Sequence, residues 1–149
     1  MTAMRTRALI VCVVLAASCF AFARKEETLE QLVARAESAP LPDQPGIYIG
    51  IAARQMQLAD TLYTAGRVAE ASAAVSDVVT YSERASDAST KSGKKLKHTE
   101  ISLRKMAAKL RDIKRGVNFE DQAPVQAAID RLEQLRTLLL AHMFEKDKK

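Results

Sequence analysis

From Leu29 to Met143 the apolar residues of this 149-residue chain recur three and four places apart, and no stretch sustains an alternation of two. A spacing of three and four gathers side chains on one face of a helix, whereas a half-buried strand needs a period of two. The chain is therefore expected to be all-α, a small antiparallel helical bundle with its last three long helices at the centre.

Local signals set the expected boundaries. Thr28 with Gln31 forms a capping box for a short helix ending near Ser38, with Leu29, Leu32, Val33 and Ala36 on one side. Pro40 stops it, and Pro40 to Pro45, PLPDQP, reads as a stiff extended linker that would leave this first helix semi-detached. A second helix from Ile47 to about Thr64 offers Ile51, Leu58, Ala59 and Leu62, and Gly66 supplies the turn. The third, from Val68 to about Ser89, aligns Val68, Ala71, Val75, Val78, Ser82 and Ala85, small side chains that permit close approach. After Gly93, Leu96, Leu103, Leu110 and Val117 repeat in sevens with Thr99, Met106 and Ile113 between them, a coiled-coil-like stripe. GVNFED, Gly116 to Asp121, is a turn. Pro124 then opens a last helix lined by Val125, Ala128, Ile129, Leu132, Leu135, Leu139 and Met143.

Ahead of these helices, Arg5 and Arg7 precede an apolar run from Ala8 to Ala23 that ends in the small-x-small pattern Ala21-Phe22-Ala23. That is the layout of a cleaved export signal, and the run is shorter than the roughly 20 residues of a membrane-spanning helix. The expected organisation is a signal over 1–23, a short helix and Pro-rich linker over 24–45, and a bundle over 46–149. The expected location is periplasmic or secreted, with no transmembrane helix after cleavage. Cys19 in LAASC offers the alternative of a lipid anchor, although Leu15 stands one place too far from it and Phe20 follows it. Both cysteines, Cys12 and Cys19, lie inside the leader, so the mature chain would hold no disulfide or thiolate ligand and would depend on its core alone.

The segment Met56 to Val79, MQLADTLYTAGRVAEASAAVSDVV, resembles one tetratricopeptide-type helical hairpin. Leu58 and Ala59 stand at that family's paired Leu and small residue, Leu62 at the next packing site, Gly66 at the turn and Ala71 at the small contact. Gln55 stands where a large aromatic often opens the motif, and Glu83 replaces the closing Pro. A shift of 34 residues finds no second copy, since Leu58 then maps to Ser92 and Gly66 to Glu100. The resemblance implies peptide binding or scaffolding and carries over no ligand-contact residue.

Chemistry-bearing constellations are scarce. His98 and His142 lack a neighbouring ligand at metal spacing, the five glycines are isolated, and no Ser sits in a nucleophile elbow. Glu120 and Asp121 are better explained by the positive end of the last helix than as an acid–base pair. No catalytic, metal or cofactor-binding residue is assigned and no cofactor is expected. A helical enzyme or metal protein is the third class considered, and it wants a pocket gathering a histidine with carboxylates.

One region is charged far beyond the rest. Lys91 to Arg115 holds ten basic residues against Glu100 and Asp112, while the mature chain as a whole would carry only +3. The plain reading is a solvated face partly paired with neighbouring acids. The functional reading is a polyanion-binding surface made of Lys91, Lys94, Lys95, Lys97, Arg104, Lys105, Arg111 and Arg115, meeting an anionic envelope polymer or lipid or an acidic protein. Four lysines crowd the start of a helix, where the macrodipole disfavours cations. Nucleic acid fits less well because aromatic interleaving is missing. The leading expectation is an exported, non-enzymatic interaction or scaffold protein that binds a protein partner or itself.

Mass spectrometry of the exported chain is expected to find Arg24 at the N-terminus and no free thiol. A lipid-modified Cys19 at the N-terminus would establish the alternative processing instead.

Overall fold

Two connections, Ala65–Arg67 and Val117–Asp121, each fold the chain back on itself and set the architecture. The computed structural model describes residues 26–146, and the expected signal 1–23 lies outside the described residues. Five helices pack together: α1 Leu29–Ser38, α2 Gln44–Thr64, α3 Val68–Ser92, α4 Leu96–Gly116 and α5 Gln122–Lys146, with a 3-10 turn at Phe119–Asp121 before the last. No strand occurs among the described residues, and the fold is all-α.

The expected caps form. Thr28 Oγ1 accepts from the Gln31 amide at 3.3 Å while the Thr28 amide donates to Gln31 Oε1 at 2.9 Å. Gly66 ends the first hairpin's α2 at φ 73° and Gly93 caps α3 at φ 66°, left-handed values that cost glycine little. The Pro40–Pro45 segment is a correction to the expected extended linker. The Asp43 amide donates to the Pro40 carbonyl at 2.8 Å, making a turn, and α2 already begins at Gln44 with Pro45 in its first turn. Proline suits that place because the first helical amides have no intrahelical acceptor. Nor is α1 semi-detached: Ala36 is fully buried in the common core, with Leu29, Leu32 and Val33 packed against it. Tyr48 and Tyr81 stack with ring centroids 6.4 Å apart, Arg84 lies over both rings, and Arg84 reaches Glu37 of α1 at 3.3 Å.

The hairpins α2–α3 and α4–α5 stack side by side rather than leaving the last three helices at the centre. The Lys95 Nζ stands 2.9 Å from where a Cβ on Gly46 would lie, and Lys109 reaches Asp60 at 2.7 Å. Both pairs are 49 positions apart, so α2 and α4 run parallel. Arg131 meets Glu83 at 2.6 Å, which sets α5 alongside α3. Small residues on α3, among them Ala71, Ala74 and Ala85, are nearly or fully buried and let its neighbours close in.

Burial repeats between the hairpins. Pro45, Tyr48, Ile49, Ala52, Gln55, Met56, Ala59 and Leu62 of α2 are buried, and so is the residue 51 places after each, from Leu96 to Ile113 of α4. Ala71, Ala74, Val75, Val78 and Ala85 of α3 correspond at 54 places to Val125, Ala128, Ile129, Leu132 and Leu139. The Val117–Asp121 connection and the one further residue at the end of α4 absorb the difference of three. A 34-residue frame misses this relation because its offset is 51 to 54 positions, and the likeness lies in burial more than in residue identity.

Leu58 is a second correction: it is 46% exposed, although both the helical spacing and the resemblance put it in the core. It lies one turn beyond Arg54, whose guanidinium donates to the Glu27 carbonyl just ahead of α1. The cover that α1 gives this face of α2 stops there. Accordingly Leu132→Ala or Leu110→Ala, at fully buried sites, is expected to cost about 2–5 kcal/mol. Leu58→Ala should stay within about 0.5 kcal/mol. Urea midpoints at constant slope check both.

Candidate functional site

The seam Leu96, Leu103 and Leu110 is buried as the heptad spacing requires, and this turns the basic side of α4 to solvent. Lys91, Lys94, Lys95, Lys97, Arg104, Lys105, Arg111 and Arg115 are all exposed. They do not form one uniform surface. Lys91 pairs with Asp87 at 2.7 Å, Arg111 with Glu133 at 2.6 Å, and Arg115 with Asp112. Lys109 is bound to Asp60, and Lys114 donates to Gln126 Oε1 at 2.7 Å. Lys94, Lys95, Lys97, Arg104 and Lys105 make no ion pair among the described residues.

Those five fall in two places. Lys94, Lys95 and Lys97 crowd the α3–α4 turn, while Arg104 and Lys105 sit about two turns further along α4, about 10 Å away. The start of α4 is electrostatically unfavourable: Lys95 occupies the cap position at φ 57°, no side chain caps the helix, and its first turn holds no acid. Unsatisfied amides at a helix start carry partial positive charge, so cations there repel it.

Glu100, the other acid of the basic band, is buried at 7% exposure. Its Oε1 accepts from Arg136 Nε at 3.0 Å and Nη2 at 2.8 Å. Arg136 also donates to Glu133 at 2.5 Å, and Glu133 accepts from Arg111, so four charges run in a chain between α4 and α5. Hydrogen bonding to Glu100 above all raises the Arg136 pKa. Burial pushes the Glu133 carboxyl upward, but the Arg111 and Arg136 guanidiniums outweigh it and hold the group below its ordinary value. The available signal was an acid four places after Leu96 and three before Leu103, on an apolar face.

Two depressions hold other titratable groups. A cleft of about 330 Å³ lies where the turns after α2 and α4 meet, lined by Asp60, Lys109, Asp112 and Asp121 beside Tyr63. The Tyr63 hydroxyl is buried without a hydrogen-bond partner among the described residues. Burial, and next the Asp121 charge, raise its pKa. A groove of about 540 Å³ between α3 and α5 brings His142 near Glu83, Asp87 and Glu145. Arg131 and Lys91 engage Glu83 and Asp87, which leaves a structural ion-pair border more than an acid–base site. His98 lies elsewhere, exposed on α4. No cluster of three or more His, Cys, Asp or Glu suited to a metal occurs among the described residues. No helix among them is long and apolar enough to cross a membrane.

No family model, curated protein or solved structure matches the chain.

Arg136→Ala strands the buried Glu100 and is expected to cost about 3 kcal/mol. Arg115→Ala, at a solvent-exposed pair, should cost under about 1 kcal/mol. Because the folded Glu133 pKa lies below its ordinary 4.5, its contribution is complete above that pH and is lost as pH falls through the lowered value. Glu133→Gln should therefore flatten the acid side of the stability profile, read from urea midpoints between pH 6 and pH 3.

Proposed function

We propose that this chain is an exported, non-enzymatic helical interaction module that binds a protein partner or a second copy of itself. The observation that carries the reading is the stacking of two hairpins with a common burial pattern, α2–α3 on α4–α5. Stacked hairpins bury their seams against each other and leave side chains of successive helices in a row on the outside, an arrangement suited to extended contact. The tetratricopeptide-like segment Met56–Val79 lies in the first hairpin and favours the same class. There Ala59, Leu62, Ala71, Val75 and Val78 are buried, while Leu58 departs from that family's packing.

The polar groups fit structural duty. Glu83, Asp87, Asp60 and Glu133 each meet a cation, and the strongest of these networks fastens α4 to α5. A binding surface has more to gain from an apolar side chain left without cover, Leu58 at 46% exposure.

Affinity capture from a native envelope fraction with residues 24–149 is expected to return a saturable protein partner, or a second copy seen as a concentration-dependent dimer in analytical ultracentrifugation. Leu58→Asp should weaken capture at least tenfold while leaving the melting temperature within a few degrees. Monomeric behaviour at high concentration with no saturable capture would overturn the reading.

A further inference from the structure

Three segments distant in sequence share one end of the helical stack. The α1–α2 turn carries Leu41, 39% exposed, and leads into the start of α2. The α3–α4 turn carries Lys94 and Lys95, and Lys95 Nζ stands over Gly46 at that same helix start. Lys95 also borders a shallow cleft with Leu32 and Asp43 of the α1–α2 region. The last turns of α5 arrive beside the end of α3, where Thr90, His142 and Glu145 line one groove, and they carry Phe144, 64% exposed. One end of the protein thus presents two solvent-facing apolar side chains and the three lysines Lys94, Lys95 and Lys97.

We propose that this end docks on an anionic phospholipid surface, with Lys94, Lys95 and Lys97 against lipid phosphates and with Leu41 and Phe144 entering the headgroup boundary. Charge and apolar exposure both favour a bilayer over a soluble partner. Lysines beside a negatively charged leaflet gain Coulomb energy without losing all their water, and apolar side chains gain by leaving it. The lysine placement works against the α4 dipole within the protein, a local penalty that an anionic surface would reverse. Asp43 and Glu145 are the acids at this end without an ion pair among the described residues, fewer than the lysines. The opposite end contrasts: Phe119 is 89% exposed there, but it adjoins Glu120 and Asp121, which such a surface would repel. The docking does not depend on the protein partner proposed above, since it uses a different part of the surface from Leu58.

The test is vesicle co-sedimentation of residues 24–149, which contain every described core residue from Ala36 to Leu139 and omit the apolar leader that would bind lipid by itself. Vesicles of phosphatidylcholine with about one third phosphatidylglycerol are expected to sediment the protein, vesicles of phosphatidylcholine alone are not, and added salt should release it. Lys94→Ala, Lys95→Ala and Lys97→Ala together should lower partitioning about 100-fold. Leu41→Ser with Phe144→Ser should lower it about tenfold or more, and Arg104→Ala with Lys105→Ala should change it less than threefold. Far-UV melting curves confirm that each variant is folded. Equal partitioning of the triple-lysine variant, equal loss in the Arg104 and Lys105 variant, or retention on heparin with no binding to anionic vesicles would each overturn the proposal. Failure of vesicle binding leaves protein capture through Leu58 as a separate result.

Discussion

The close approach of helices against the small residues of α3 is the constraint on which the rest of the structure depends. Ala71, Ala74, Ala85, Ser82 and Ser89 lie on its buried side, together with Val75 and Val78. Bulky side chains at these places would hold neighbouring axes apart. With small ones, α3 meets α2 in its own hairpin, α5 alongside, and the start of α4, where Ser89 and Thr99 share a buried hydrogen bond of 2.8 Å. The short α1 also settles here, through Tyr81 and Arg84.

That packing explains the division of charge. Once α4 is held parallel to α2 and antiparallel to α5, its last two turns lie opposite carboxylates, and Lys109 and Arg111 find Asp60 and Glu133. Arg136 becomes the centre of a partly buried network because Glu100 occupies a seam position and no apolar packing could leave it alone. The beginning of α4 projects past this pairing region, where its lysines compete with the dipole of their own helix. The asymmetry along a single helix thus follows from where neighbouring helices carry acids.

Much of the fold was legible in the residues. The heptad of Leu96, Leu103 and Leu110, the seam of Val125 to Leu139 and the Thr28 capping box are local patterns, and local physics is enough to form them. Three features were not legible for physical reasons. Leu58 belongs to a correct helical face but lies beyond the reach of α1, so its exposure depends on the length of a different helix. Pro40 and Pro45 restrict the backbone equally well in an extended linker and in a turn, and packing of Ala36 on α2 chose the turn. The ion-pair division of the basic band needed long-range partners, Glu133 for Arg111 and Asp60 for Lys109, that lie on other helices.

By itself, then, the sequence determined that the chain is helical, where most helices begin and end, and which side of each is apolar. Those properties arise from neighbours within a turn or two, where hydrogen bonding and side-chain spacing act directly. Tertiary structure decided the pairing of hairpins, the burial repeat at 51 and 54 positions, and the gathering of Leu41, Phe144 and three lysines at one end. These depend on the close contact of helix faces far apart in the chain, and a one-dimensional pattern of apolar residues is compatible with more than one such arrangement until side-chain volumes select among them.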